Sequence, residues 1–336
     1  MIHIALCTDI NYLMPTGVAM VSICENNQDE EICFHVVGTI DNSISKDAFS
    51  VLNDIANKYG KEYHFYQIQE NKLPTDEGKT TAHITKTAFS RLFLADLLPY
   101  SINKVLYLDC DIICQGKLTD CWNVTLSEHD FLIGGVEDAS CYSGYVRESL
   151  SLKITDLYVN SGVLLINLKQ WRDEGVGHKC VDQANQNKYR FMDQDVINTV
   201  CRGRIFRLPF KYNLQTGFTH QVEIFWMIDG CHMKEARKAK QSPVIIHYTA
   251  NKPWKIPESD YSAAWMKYYY ISPWKNIKLK TKQVHPFILS PYYHKIEDLY
   301  WKEFSFVYET FPFYLSLVDM IHNIKIFIYK RLGRIK

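Results

Sequence analysis

The chain has no excess of charge of either sign: 38 Lys and Arg stand against 37 Asp and Glu, a formal +1. That balance excludes a strongly basic nucleic-acid binder, so no nucleic acid is expected as a partner. No run of about 18 uncharged apolar residues occurs, the length a bilayer-spanning helix needs, so no transmembrane helix is expected. The opening MIHIALCTDINY lacks a basic stretch followed by an apolar one, and no signal peptide is expected. The 10 Cys include no C-x-x-C pair, which removes support for a zinc ribbon, and their scatter over 336 residues fits a reducing cytosol better than a disulfide framework. Internal repeats and low-complexity tracts are also lacking.

What is present is ordinary globular usage, 47% hydrophobic and 22% charged, with a high aromatic share of 14%. Short apolar runs alternate with helix-like stretches. Ile2–Thr8, Ile32–Ile40, Glu62–Ile68 and Lys104–Ile113 read as strands. Met14–Glu25, Ser45–Tyr59 and Thr87–Leu98 read as the helices between them, the last ended by Pro99. Phe131–Val136, Leu157–Leu168 and Val244–Thr249 read as later strands, and Lys169–Asn187 and Gln194–Val200 as helices. This order predicts an α/β fold with an open, mostly parallel sheet and helices on both faces. Ligands of such sheets sit beyond the carboxyl ends of the strands, where Asp9 and the pair Asp109 and Asp111 fall.

Asp109 and Asp111 are two apart on a predicted strand, and a period of two puts both on one face. Two carboxylates that close repel unless a cation or proton sits between them. A hard divalent ion, Mn²⁺ or Mg²⁺, is the natural occupant; solvated carboxylates at a strand end are the alternative.

Six blocks in order then resemble the bacterial members of glycosyltransferase family 8, the group of lipopolysaccharide α-galactosyl- and α-glucosyltransferases. They are Thr8-Asp9-Ile10-Asn11-Tyr12, Thr87–Leu92 with Arg91, Lys104–Asp111 (KVLYLDCD), Asn160–Leu168 (NSGVLLINL) followed by Trp171-Arg172, Asp193-Gln194-Asp195, and His247–Trp254. The resemblance covers roughly residues 2–254. It implies a GT-A fold and a retaining transfer of glucose or galactose from a UDP-sugar to a saccharide or lipid-linked glycan acceptor, as in cell-surface polysaccharide synthesis.

By the same resemblance, Asp9 accepts a hydrogen bond from uracil, Tyr12 stacks on it, and Asn11 holds ribose or phosphate. Asp109, Asp111 and His247 hold Mn²⁺. Lys252 neutralises the β-phosphate, and Arg91 meets the diphosphate or the sugar. Asn160 and Gln194 lie near the anomeric carbon, Asp193 binds sugar hydroxyls, and Asp138 contacts donor sugar or acceptor. Asp195 reads equally as a charge favouring a helix N-terminus. The family's H-x-x-G-x-x-K-P-W becomes His247-Tyr248-Thr249-Ala250-Asn251-Lys252-Pro253-Trp254 here, one residue shorter and without the Gly.

After Trp254 the composition shifts, so the chain divides into a catalytic domain, 1–254, and an aromatic and basic segment, 255–336. Residues 321–336 hold Lys325, Lys330, Arg331, Arg334 and Lys336 and no acid. On a helix, Leu317, Ile321, Ile324, Ile328, Leu332 and Ile335 make one apolar stripe. This basic amphipathic pattern predicts peripheral attachment to the inner face of the cytoplasmic membrane. Two other readings stay open: a haloacid dehalogenase-like phosphohydrolase with Asp109 as nucleophile and Asp111 as acid, and a non-enzymatic membrane-associated protein that kept the fold.

Overall fold

The computed structural model describes residues 1–40, 46–74, 86–138, 144–153, 156–218 and 230–281. The amphipathic tail therefore lies outside the described residues. Strands are β1 (Ile2–Thr8), β2 (Ile32–Ile40), β3 (Glu62–Gln69), β4 (Lys104–Leu108), β5 (Ile112–Cys114), β6 (Ile133–Glu137), β7 (Val159–Asn167), β8 (Ile205–Arg207), β9 (Leu214–Gln215) and β10 (Ile245–His247). Helices are α1 (Leu13–Asn26), α2 (Ser50–Lys58), α3 (Leu94–Leu97), α4 (Thr119–Trp122), α5 (Gly144–Ser149), α6 (Leu168–Asp173), α7 (Val176–Gln186), α8 (Met192–Val200), α9 (Gly230–Gln241) and α10 (Ser262–Tyr269).

The main sheet runs β3-β2-β1-β4-β7-β6-β8 and a small one runs β5-β10-β9. From β3 to β4 all pairings are parallel; β7 is antiparallel to both β4 and β6. The expected α/β fold with a mostly parallel sheet is therefore present. β2 and β7 are buried at every position, which is why their sequences are mostly apolar and show no alternation of apolar and polar residues. α1 and α2 pack one face of the sheet, with Val18, Met20, Ile23, Leu52 and Ile55 in one core; Leu92, Trp171, Val196 and Ile197 belong to the core on the other.

Three expected elements differ. The strand expected over Lys104–Ile113 stops at Leu108, turns through Asp109–Asp111, and resumes at Ile112 in the second sheet. The helix expected over Thr87–Leu98 is a 3₁₀ helix, Lys86–Phe93, and only α3 at its end is α-helical. Arg91 Nε bonds the Ala88 carbonyl three residues back at 2.8 Å, and the tighter pitch aligns buried Phe89 with buried Leu92. The helix expected over Lys169–Asn187 breaks into α6 and α7 because Gly175 takes a left-handed backbone, φ 61°.

Past Trp254 the chain keeps packing on the same body. Trp265 is fully buried and lies 5.5 Å from the Trp254 ring and 5.1 Å, stacked, from Tyr269. Asn26 in α1 donates to the Tyr268 hydroxyl at 2.7 Å. Trp265→Ala is expected to cost about 3–5 kcal/mol of stability, as large aromatic truncations in cores do. Urea denaturation of the two proteins measures it, and a loss under about 1 kcal/mol would mean that α10 packs only loosely.

Candidate functional site: a carboxylate–imidazole cluster at a sheet junction

The turn between β4 and β5 is pinned on both sides. Asp109 N donates to Gly162 O, within β7, at 2.8 Å, and Tyr248 N, just after β10, donates to Asp111 O at 2.9 Å. The residue between, Cys110, turns inward, its thiol bonding Cys7 O at 3.1 Å. Asp109 and Asp111 both face His247, brought there by a turn rather than by the strand alternation that the sequence suggested.

His247 ends β10, paired with Ile112 across the antiparallel β5. Its Nε2 lies 3.2 Å from Asp111 Oδ1 and 3.6 Å from Asp109 Oδ2. The three expected metal ligands thus come together, with ligand atoms all within 4.8 Å of one another. The other carboxylate oxygens are held by the protein. Asp109 Oδ1 accepts from Tyr107 Oη at 2.5 Å and Arg91 Nη2 at 2.9 Å, and Asp111 Oδ2 pairs with Lys252 Nζ at 2.5 Å. Burial works to raise the Asp111 pKa, but Lys252 and His247 outweigh it and hold the carboxyl well below the usual range. Two carboxylates and one imidazole form a mainly oxygen donor set that fits Mn²⁺ or Mg²⁺.

Gly162 explains why the N-S-G block needs glycine. A Cβ there would sit 2.2 Å from His247 Cε1 and 2.7 Å from Asp109 Oδ2. Close approach, not an unusual φ, fixes the residue.

Behind the cluster runs an ordered chain of hydrogen bonds. His247 Nδ1 meets Asn213 Oδ1 at 3.0 Å, and Asn213 Nδ2 donates to Asn160 Oδ1 at 2.9 Å. Asn160 Nδ2 donates to Asp138 Oδ2 at 2.9 Å and to Gln194 Oε1 at 3.0 Å. Gln194 Nε2 donates to Asp138 Oδ2 at 3.2 Å and Tyr158 Oη at 3.0 Å, and Tyr158 donates to Asp195 at 2.5 Å. Followed outward from His247, the donors run in one direction. Asn213 thus fixes the His247 ring so that Nε2 faces the carboxylates, the nitrogen through which the side chain would bind a metal.

Each remaining residue expected at the site has a defined place. Gln194 is locked, since its Oε1 also accepts from Ser161 N at 3.1 Å. Asp193 is buried near Arg91, 3.2 Å from Nη1, but Oδ2 accepts no aligned hydrogen bond. Burial pushes this carboxyl up to about 6, against the pull of Arg91. Arg91, expected on diphosphate or sugar, is itself buried and directs its guanidinium to Asp109, Asp193, Ser161 O and Ala88 O. Asp195 receives Phe191 N at 2.8 Å at the start of α8, so the reading as a helix-end charge describes its contact there. The backbone of Met192, just ahead of Asp193, is left-handed at φ 38°, a strained way to begin that helix.

Asp9 Oδ1 caps its own 3₁₀ turn through Asn11 N at 2.8 Å and Tyr12 N at 3.1 Å. Asn11 is exposed, and Tyr12 lies edge-on to Trp254 at 6.1 Å. In the shortened loop after His247, Ala250 is not among the residues with positive φ, and Gly217 N–H from the neighbouring segment bonds Thr249 Oγ1 at 2.9 Å.

Sequence reasoning missed Asn213, Tyr107 and Tyr158 as parts of the site. Tyr107 stood inside a recognised block; Asn213, in R-L-P-F-K-Y-N-L-Q, carried no local signal at all.

The sequence signature of glycosyl transferase family 8 matches residues 3–256. The chain belongs to that family. The lipopolysaccharide 1,2-glucosyltransferase of Escherichia coli is 29% identical over 283 residues, spanning 82% of this chain and 79% of that one. General stress protein A of Bacillus subtilis is 26% identical over 285 residues, 82% of this chain and 95% of that one. In fold, the chain resembles the galactosyltransferase LgtC solved with donor and acceptor sugar analogues, at a TM-score of 0.68 and 24% identity over 81% of this chain and 96% of that one. A family 8 glycosyltransferase has the GT-A fold seen here. The phosphohydrolase alternative falls with this assignment, and the geometry agrees: Oδ1 of its supposed nucleophile, Asp109, is tied to Tyr107 and Arg91, and Oδ2 faces His247.

Asn213→Ala is expected to lower Mn²⁺ affinity by about 10- to 100-fold, the usual cost of losing a partner that orients a metal-binding His, with far-UV circular dichroism unchanged. Equal affinity, measured by isothermal titration, would show that His247 needs no such partner. Gly162→Ala is expected to lower that affinity further, because His247 and Asp109 must both shift.

Proposed function

We propose that the chain is a metal-dependent retaining hexosyltransferase. It moves glucose or galactose from a UDP-sugar to a saccharide or lipid-linked glycan acceptor. The observation that carries this reading is the convergence of Asp109, Asp111 and His247 next to the buried Asp138–Asn160–Gln194 array, the two joined through Asn213. The names of relatives favour the hexose and a role in lipopolysaccharide or related surface glycan synthesis: a 1,2-glucosyltransferase of Escherichia coli and a 1,3-galactosyltransferase of Salmonella typhimurium.

Asp109, Asp111 and His247 would hold Mn²⁺ or Mg²⁺. When bound, that ion supplies positive charge to the diphosphate that leaves. Lys252, 2.5 Å from Asp111 here, adds its own charge at the β-phosphate. Asp9, Asn11 and Tyr12 lie beyond the carboxyl end of β1 and receive the nucleoside. Asp193 Oδ2, buried without an aligned donor, takes a sugar hydroxyl. Arg91 keeps Asp193 and Asp109 in register.

Gln194 orients donor and acceptor and is not a nucleophile. A retaining glycosidase uses a carboxylate pair about 5 Å apart. Gln194 carries an amide whose oxygen already accepts two hydrogen bonds. The acceptor oxygen therefore attacks from the face the diphosphate leaves, and its proton goes to a phosphate oxygen of that leaving group.

No helix among the described residues is long and apolar enough to cross a membrane. We assign the cytoplasmic membrane face as the place of work, reached through the basic amphipathic tail.

Asp111→Asn is expected to abolish metal-dependent UDP binding; unchanged binding would remove the proposed metal role. Gln194→Ala is expected to lose about 10- to 100-fold in rate, as for one positioning hydrogen bond, and to give product of retained configuration by NMR. An inverted product, or a stoichiometric sugar adduct on Gln194 of the unaltered enzyme, would refute the mechanism. Removal of residues 313–336 is expected to release the protein from anionic liposomes while UDP-sugar hydrolysis persists, and added salt to weaken binding of the full chain. Equal liposome binding by both forms would end the tail's assignment.

A further inference from the structure

We infer that the amino ends of β1 and β2 carry a second metal site, built from His3, Cys33 and His35, that takes a borderline-soft divalent ion of the Zn²⁺ class. It lies at the opposite end of the strands from Asp9 and Asp109, and nothing in the transferase reading uses it.

The register places these groups together. His3 pairs with Cys33, Cys33 with Glu62, and His35 with His64, so an alternating Cys-x-His on β2 stands between a His on β1 and an acid and a His on β3. All point to one face. His35 Nε2 is the pivot: it lies 3.0 Å from His3 Nδ1 and 3.4 Å from Cys33 Sγ. A tetrahedral Zn²⁺ with bonds of about 2.0–2.1 Å to nitrogen and 2.3 Å to sulfur separates neighbouring donor atoms by about 3.3–3.7 Å. The trio is thus already close to that spacing and needs only a slight opening.

The second nitrogen of His35 is fixed, as in known metal sites. Its Nδ1 lies 3.1 Å from Tyr66 Oη, which holds the ring with Nε2 toward the other two donors. Cys33 and His35 are buried, His3 is half-buried, and Glu62 and His64 are exposed, so the trio opens toward water on the β3 side. Cys33 also forms a second close triad with Glu62 and His64, either of which can supply a fourth ligand. Mixed sulfur and imidazole donors select Zn²⁺ over the oxygen-seeking ions suited to Asp109 and Asp111.

The test uses the full chain after chelator treatment. Zn²⁺ is titrated in competition with a chromophoric chelator, and Co²⁺ is added in parallel as a spectroscopic substitute. An Asp109→Asn, Asp111→Asn double variant removes the other metal cluster from the count. That variant is expected to bind one equivalent of Zn²⁺ and, with Co²⁺, to show near-ultraviolet absorption from a thiolate–cobalt bond. Cys33→Ser is expected to remove the absorption, and His3→Gln, a half-buried position less liable to disturb folding, to weaken Zn²⁺ at least about 10-fold. Absence of the cobalt–thiolate absorption in the folded double variant would overturn the site. So would unchanged Zn²⁺ affinity in His3→Gln; the three side chains would then form only a hydrogen-bonded cluster.

Discussion

Two carboxylates and an imidazole are held within 4.8 Å of one another at the seam between two sheets, and much of the molecule serves that placement. Like charges at such range repel, so the turn that carries Asp109 and Asp111 cannot hold itself. β7 grips it from one side through Gly162, and the chain after β10 grips it from the other through Tyr248. Tyr107, Arg91 and Lys252 then take up the carboxylate oxygens that do not face His247. The antiparallel entry of β7 beside β4, which departs from a purely parallel sheet, is what brings Asn160, Ser161 and Gly162 next to Asp109.

A second constraint links the two halves of the site. The amides of Asn213, Asn160 and Gln194 form one line of donors and acceptors between His247 and Asp195. Each amide has its orientation set by the next. A low-dielectric interior strengthens such a line and penalises any break in it. The groups assigned to the leaving diphosphate and those assigned to the sugar are therefore positioned by one network.

Much of this was legible in the sequence. The buried strands β1, β2, β4 and β7 are largely apolar runs, and the polar residues Asp9, Asp109 and Asn160, at or near their ends, mark the candidate site. The break of the β4 run was not legible, because Cys110-Asp111-Ile112-Ile113 continues the strand pattern while the chain changes sheets. Only the pairing of Ile112 with His247, some 135 positions away, decides that turn. Asn213 was invisible for a similar reason: its role exists only through His247 and Asn160. Nor did spacing reveal His3, Cys33 and His35, since β1 and β2 pair only once the sheet forms.

The central claim is that Asp109, Asp111 and His247 bind a divalent ion as part of the donor site. Its most direct test is electron paramagnetic resonance of Mn²⁺ titrated into the full chain, with and without UDP. The expected result is loss of the free-ion signal that saturates at one equivalent and occurs at lower Mn²⁺ when UDP is present, because nucleotide and ion share the site. A free-ion signal that falls along the same curve with and without UDP would contradict it.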